Sequence, residues 1–178
     1  CRRINQGRLG TALVLFLWVL ATSNNWSMRP QLFAYPLFAL SLYLLYRWRE
    51  GCAKCVYWLP LISLVWVNVH GSFVMLVLLA GAALIFSPKN QAASRKALLL
   101  SFMGVMLATV LNPRGLGAWT YIFTSITIPS SQLFSAEWLP PVNDHWQMNI
   151  FFAWLLLFPV LAATSPYKLS RVEWAWFI

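Results

Sequence analysis

Long runs of apolar residues without any charge constrain the fold of this chain most strongly. Hydrophobic residues make up 60% of the sequence and charged residues 10%, whereas a water-soluble domain carries about 25% charged residues. The runs are continuous rather than alternating, which favours helices over strands. They cover residues 9–23, 30–46, 56–69, 72–87, 97–111 and 148–164, and another begins at 174. Since a helix that crosses a bilayer needs about 20 such residues, the sequence predicts an all-α, polytopic transmembrane helical bundle of about six or seven spans.

The basic residues give this predicted bundle an orientation. Lys and Arg number 13 against 4 Asp and Glu. They form short clusters between the apolar runs, which is typical of membrane proteins and argues against nucleic-acid binding. If the N-terminus is cytoplasmic, every basic residue except Arg29 and Arg114 falls on the cytoplasmic side. The positive-inside rule therefore predicts a cytoplasmic N-terminus.

The domain organisation follows from the same runs. The sequence begins at Cys1 and stops at Ile178 inside an apolar run, so we expect residues 1–178 to form a single transmembrane domain and to be an internal part of a longer protein. The longest connection, residues 112–147, falls on the outer, extracytoplasmic side. Within it, residues 116–128 carry aromatic side chains and no charge, which predicts an interfacial helix.

Cys52 and Cys55 form a C-x-x-C pair. A structural zinc site needs four ligands, usually two such pairs, and the sequence contains no second pair. We therefore favour a reduced pair without a metal over a metal or redox site. No metal site is predicted, and the cofactor is left open, with a divalent metal as one option that these residues do not support.

Polar residues gather on the predicted outer side. Arg29 stands beside Pro30 at the start of a helix, where free N–H groups and a fixed positive charge suit a phosphate. Arg114 follows Pro113 just beyond a helix end. Both arginines also fit contact with lipid head groups or helix capping. Their convergence on one side favours an anion site.

Three further residues on that side are candidates for chemistry. His70 and Asn68 lie at the expected apex between two runs, where a turn residue and a C-terminal cap are the alternatives. Glu137 lies in an uncharged stretch, so it suits a general base or metal ligand as well as an ion pair with Arg114. The predicted spans contain no ionisable group, which disfavours a transporter.

An ordered set of short strings now suggests a family. The strings are Arg-Pro-Gln-Leu-Phe at 29–33, Leu-Pro-Leu at 59–61, Trp-Val-Asn-Val-His-Gly-Ser-Phe at 66–73, Leu-Asn-Pro-Arg-Gly at 111–115 and Glu-Trp at 137–138. Together they resemble the GT-C superfamily of multi-spanning bacterial glycosyltransferases, which includes aminoarabinose transferases and protein mannosyltransferases. The resemblance is closest to the uncharacterised bacterial branch and covers most of residues 25–142.

The resemblance implies a function and a location. It implies transfer of a sugar from a polyprenyl-phosphate donor at the extracytoplasmic face of the bacterial cytoplasmic (inner) membrane, with the lipid bilayer and the lipid-linked donor as partners. Arg29, Asn68, His70, Asn112 and Arg114 would bind the substrate. Glu137 is the remaining carboxylate for a catalytic base, because the acidic motif of the family's first outer loop does not precede Leu9 here.

One alternative from a different class stays open. A non-catalytic transmembrane subunit, packed among other membrane protein subunits of a larger complex, fits the scarcity of carboxylates. An upstream outer loop with paired acidic residues would favour the enzyme. Extensive burial of the apolar surface against other chains would favour the subunit.

Overall fold

The computed structural model describes residues 8–22, 30–87, 92–127, 146–166 and 168–177. Every regular element in these ranges is helical, as the apolar runs predicted. The α-helices are α1 (Arg8–Thr22), α2 (Ala34–Arg49), α3 (Leu59–Val69), α4 (Val74–Phe86), α5 (Ala92–Ala108), α6 (Gly117–Thr127), α7 (Trp146–Thr164) and α8 (Arg171–Phe177). Short 3-10 helices, Pro30–Phe33, Ala53–Trp58 and Gly71–Phe73, precede α2, α3 and α4.

The chain divides into two compact units. In the smaller unit α1 packs against α7. Most large side chains on these two helices stay exposed, with Leu9 at 75% and Leu156 at 73% of their full accessibility. This unit therefore has little apolar core of its own.

The larger unit contains α2 to α6 together with α8. Its centre is α5, which packs against α3, α4 and the 3-10 helix before α3. Helix α2 packs against the same three elements. The core contains Leu45, Trp48, Trp66, Leu76 and Leu98, each at most 1% exposed. Burial of large side chains of this kind contributes about 1.5 to 3 kcal/mol each.

Helices α3 and α5 approach each other closely. A Cβ atom at Gly104 would lie 2.8 Å from Cγ of Pro60, so the absence of a side chain at residue 104 permits this contact. The hydroxyl of Ser63 donates to the carbonyl of Val105 at 3.1 Å, and that of Ser101 donates to the carbonyl of Val56. Both serines are buried, and these hydrogen bonds satisfy their hydroxyls inside the core.

The last helix is attached to the end of α2. Ser170 and Glu173 form a capping box at the start of α8, because the Ser170 amide donates to Glu173 at 2.7 Å and the Glu173 amide donates to the Ser170 hydroxyl at 3.3 Å. Arg49 joins this cap through an ion pair of 3.0 Å to Glu173. Trp176 then donates to the Leu79 carbonyl of α4 at 3.0 Å.

The predicted polytopic transmembrane bundle of six or seven spans is wrong. Within the described ranges, no helix combines the length and the apolar character that crossing a bilayer requires. Short 3-10 helices take up the first residues of two apolar runs, so α3 has 11 residues and α4 has 13. At about 1.5 Å per residue, α3 is about half the thickness of a hydrocarbon core. The predicted multi-pass location in the bacterial inner membrane, with a cytoplasmic N-terminus and an outer interfacial helix, is overturned by the same finding.

The interpretation of the C-x-x-C pair also needs correction. Cys52 and Cys55 are joined by a disulfide, whereas a reduced pair was favoured. The backbone turn brings the two residues together, because Cys52 precedes the 3-10 helix Ala53–Trp58 and its carbonyl accepts the amide of Cys55 at 3.0 Å. The disulfide therefore encloses residues 52–55, a turn within the connection between α2 and α3.

Candidate functional site

A pocket of about 360 Å³ lies in the larger unit, where the ends of α3 and α5 meet the start of α6. Its polar lining residues are Asn68, His70, Asn112, Arg114 and Tyr121. Its apolar lining residues include Val67, Phe73, Pro113 and Ala118. The lining thus contains one permanent cation and no carboxylate, so the pocket suits a ligand that carries negative charge.

The first wall forms because α3 stops at His70. This residue takes an extended conformation, with φ −155° and ψ 145°, and the 3-10 helix Gly71–Phe73 then leads into α4. Phe73 is buried and packs edge-on against the ring of Trp119, 5.2 Å between ring centroids. A Cβ atom at Gly71 would touch Tyr121 at 3.9 Å, which places this turn directly beside α6.

The second wall is the turn after α5, and Asn112 organises it. The Asn112 side-chain carbonyl accepts the amide of Arg114 at 2.8 Å, and its amide group donates to the carbonyls of Thr109 at 2.8 Å and Gly115 at 3.1 Å. Gly115 has φ +54°, in the left-handed region that favours glycine. Asn112 thereby fixes the backbone from which Arg114 projects.

Asn68 connects the two walls. Its side-chain amide donates to the carbonyl of Leu64 on its own helix at 2.8 Å and to that of Leu111 at 3.1 Å. The carbonyl oxygen of this side chain is an additional acceptor at the exposed rim. Asn68 is therefore both a structural link and a polar group of the pocket.

Arg114 and Tyr121 form the charged side of the pocket. The guanidinium carbon lies 5.1 Å from the centroid of the Tyr121 ring, which is a cation–π contact. Within the described ranges, no carboxylate forms an ion pair with this guanidinium. Its N–H groups lie in the guanidinium plane, so stacking on a ring leaves them able to donate to an anion.

Most of the predicted substrate-binding residues meet in this pocket. Asn68, His70, Asn112 and Arg114 come from two strings more than 40 positions apart, and all four line it. Arg29 and the predicted base Glu137 lie outside the described residues, so their roles stay predictions. Substrate binding by the four pocket residues also stays a prediction, although their convergence makes it specific.

Sequence reasoning missed Tyr121 as a site residue and assigned it only to an interfacial belt. Helical spacing gave no signal for it, because Arg114 lies in a turn and not in α6. The turn at 113–116 leads directly into α6 and brings the two residues together.

Metal ligands do not gather in the described part of the chain. No group of three or more His, Cys, Asp or Glu side chains there is placed to hold a metal ion. The chemistry that the pocket offers is therefore that of a guanidinium, an imidazole, two carboxamides and a phenol.

Comparison of the chain with family models, with curated proteins and with solved structures finds no match.

Proposed function

We propose that this pocket binds the phosphate of a polyprenyl-phosphate-linked sugar, and that the chain supplies the donor site of a GT-C-like glycosyltransferase. One observation carries the proposal. Asn68, His70, Asn112 and Arg114, to which the family resemblance assigns a lipid-phosphate donor, line a single pocket.

The charge of the pocket suits a phosphodiester. Arg114 presents a planar set of N–H donors that matches two phosphate oxygens, and Tyr121 beneath it restricts its orientation. A hydrogen bond to a charged group contributes about 1.5 to 3 kcal/mol. Since no acidic side chain lines the pocket, no negative charge there repels a bound phosphate.

The size and lining of the pocket suit a sugar-phosphate head group. Its volume of about 360 Å³ is near the lower end of the range of about 300 to 1,000 Å³ for small-molecule sites. Val67 and Pro113, which are not buried, provide apolar contact for the faces of a sugar ring. The Asn68 carbonyl oxygen is an acceptor for a sugar hydroxyl. The polyprenyl chain is too large for this volume and would lie outside the pocket.

The reaction would be an inverting displacement at the anomeric carbon. The acceptor hydroxyl oxygen forms the new bond to that carbon, the bond from carbon to phosphate oxygen breaks, and the polyprenyl phosphate leaves with the electron pair. A general base takes the acceptor proton, for which Glu137 stays the prediction. Because the leaving phosphate gains negative charge as the bond breaks, Arg114 favours the transition state over the bound donor.

Titration of the purified full chain with a short-chain polyprenyl-phosphate mannose tests this proposal. We expect Arg114→Ala to weaken binding about tenfold to a hundredfold, from loss of the charged hydrogen bonds. The matched control is Arg47→Ala, which removes another exposed arginine that lies over a tyrosine ring. Equal affinities of the unsubstituted protein and both variants would exclude the pocket as the donor site.

A second candidate is a non-catalytic subunit of a larger complex. The observation that favours it is the smaller unit, in which Leu13, Phe16, Leu156 and other large side chains of α1 and α7 are exposed. Exposed apolar surface on this scale marks an interaction site. The subunit function predicts no binding of the polyprenyl-phosphate sugar by the purified chain, so the same titration separates the two candidates.

A further inference from the structure

Three side chains behind the pocket form a continuous chain of hydrogen bonds. The indole N–H of Trp66, a residue only 1% exposed, donates to the hydroxyl of Ser72 at 3.1 Å. The Ser72 hydroxyl lies 2.8 Å from Nδ1 of His70, and the Ser72 backbone N–H donates to the same nitrogen at 3.1 Å. All three residues belong to the segment that ends α3 and begins α4.

This arrangement determines where the imidazole proton of His70 resides. The backbone N–H of Ser72 can only donate, so Nδ1 accepts from it; the Ser72 hydroxyl, which accepts from the Trp66 indole, then has its own proton free to donate to Nδ1. Nδ1 then accepts from both the hydroxyl and the backbone N–H of Ser72. A ring nitrogen that accepts hydrogen bonds carries no proton, so the proton of the neutral ring lies on Nε2.

The second donor is more than the turn requires. A side chain that caps the 3-10 helix Gly71–Phe73 needs only the backbone N–H of Ser72, and short Asn or Asp side chains do this well. The hydroxyl of Ser72, which the indole of Trp66 contacts, is a second donor to the same ring nitrogen. Their effect is on the ring, because they hold Nδ1 as an acceptor.

We propose that Ser72, oriented by Trp66, is a positioning residue that fixes His70 as the Nε2–H tautomer and so presents one N–H donor to a phosphate oxygen in the pocket. The identity of the ligand rests on the proposed function, whereas the tautomer does not. Nδ1 is anchored on the turn, so Nε2 is the nitrogen available to the pocket that His70 lines. A donor at this position adds to the charge of Arg114 without adding a second permanent cation.

Nitrogen-15 NMR of the imidazole tests the tautomer without any ligand. The sequence contains two histidines, and a His145→Gln background leaves His70 as the single signal. We expect ring shifts of a protonated Nε2 and an unprotonated Nδ1 in the otherwise unsubstituted chain. Ser72→Ala removes one of the two donors and should move both shifts toward a tautomer mixture. Ser72→Thr keeps the hydroxyl and should restore the original shifts.

Binding of the short-chain polyprenyl-phosphate mannose is then measured on the same proteins. Loss of one oriented hydrogen bond, about 1 kcal/mol, should weaken binding by Ser72→Ala about fivefold, and Ser72→Thr should stay within about twofold. A protonated Nδ1 in the unsubstituted chain, or shifts that Ser72→Ala leaves unchanged, would overturn the positioning role. Changed shifts with unchanged affinity would overturn the contact between His70 and the ligand. If the unsubstituted chain binds no donor, the proposed function fails, while the shifts still decide the tautomer.

Discussion

Two arginines of the larger unit lie over tyrosine rings, yet their surroundings differ. Arg114 lies 5.1 Å from the ring centroid of Tyr121, and Arg47 lies 5.8 Å from that of Tyr43. The two tyrosines are almost equally exposed, at 53% and 52%. Arg47 is four residues from its tyrosine on one face of α2 and donates to the Tyr43 hydroxyl at 2.9 Å. Arg114 projects instead from a turn into a pocket that three other polar side chains and Tyr121 share.

The same contact has different neighbours at the two places. The pair on α2 is a helix-surface pair of the kind that contributes about 0.2 to 0.5 kcal/mol to helix stability. The pair at the pocket combines a cation with polar side chains from two other segments. We therefore expect changes near Arg47 to alter stability alone and changes near Arg114 to alter ligand binding.

Charge reversal gives the largest expected difference between the two regions. Arg114→Glu places a carboxylate where a phosphate would bind, and like charges in close contact cost several kcal/mol. Binding of the polyprenyl-phosphate mannose should fall more than about a hundredfold. Arg47→Glu should change it less than about twofold. Calorimetric titration measures both, and a similar loss in the two variants would remove the distinction.

The disulfide near Arg47 provides the next largest effect. Cys52 donates its backbone N–H to the Arg47 carbonyl at 3.0 Å, so the loop that the disulfide closes begins at this end of α2. Replacing both cysteines by serine should lower the free energy of unfolding by about 2 kcal/mol, since a loop this short gives a modest loss of chain entropy. Denaturant unfolding of both proteins measures the change.

Donor binding should be unaffected in that double variant, because the disulfide precedes α3 and the pocket follows it. A loss of binding comparable with that of Arg114→Ala would mean that the two ends of α3 are coupled. Stability unchanged by the double substitution would show that this loop has no structural role.

Among the residues that the structure describes, Gly51 and Gly115 have positive φ and allow a further comparison. Gly51 follows α2 with φ +103°, and Gly115 follows Arg114 with φ +54°; no atom lies within 4 Å of a Cβ placed at either. Alanine at Gly115 should therefore cost about 1 kcal/mol of folding free energy from backbone strain, and alanine at Gly51 should cost more, because its φ lies outside the left-handed helical region. Thermal unfolding of both variants measures this cost.

Only Gly115→Ala should also weaken donor binding, because Asn112 holds Arg114 through hydrogen bonds to this turn. Gly51→Ala is the control, because it introduces at least as much backbone strain in the turn after α2, whose residues do not line the pocket. If both variants bind the donor equally well, the turn does not position Arg114.

Removal of the tyrosine rings gives the smallest expected difference. An exposed cation–π contact contributes about 0.5 to 1 kcal/mol, so Tyr121→Leu should weaken donor binding about threefold. Tyr43→Leu should leave the affinity unchanged. Competition binding at constant salt resolves a difference of this size. A stronger effect of Tyr43→Leu would contradict the assignment of the two pairs.

The helices could be predicted from the sequence, but their lengths could not. The runs at 56–69 and 72–87 were already shorter than a full span, but the sequence did not show that 3-10 helices take up their first residues and leave α3 with 11 residues and α4 with 13. The same composition that predicts insertion into lipid also describes helices that pack around Trp48, Trp66 and Leu98. Hydropathy records the preference of a side chain for an apolar environment, and neighbouring helices provide one as well as lipid does.

The pocket was predictable in part. Asn68, His70, Asn112 and Arg114 were selected as polar residues of a predicted outer face and from the family strings. The membrane topology behind that selection is overturned, yet the four residues line one pocket. The hydroxyl of Ser72 and the indole of Trp66 could not be connected to His70, because that contact depends on side-chain rotamers within a turn. The disulfide was missed because C-x-x-C spacing is compatible with two free thiols as well as with a disulfide bond.

Mapping the position of a bound donor tests the central claim most directly. A polyprenyl-phosphate sugar that carries a photoreactive diazirine beside the phosphate would be irradiated with the purified full chain, and labelled peptides would be identified by mass spectrometry. Donor binding at the pocket predicts labels within residues 67–73 and 112–121, which the unlabelled donor suppresses and Arg114→Glu abolishes. Labels confined to other segments, such as residues 43–55 around Arg47, would contradict it.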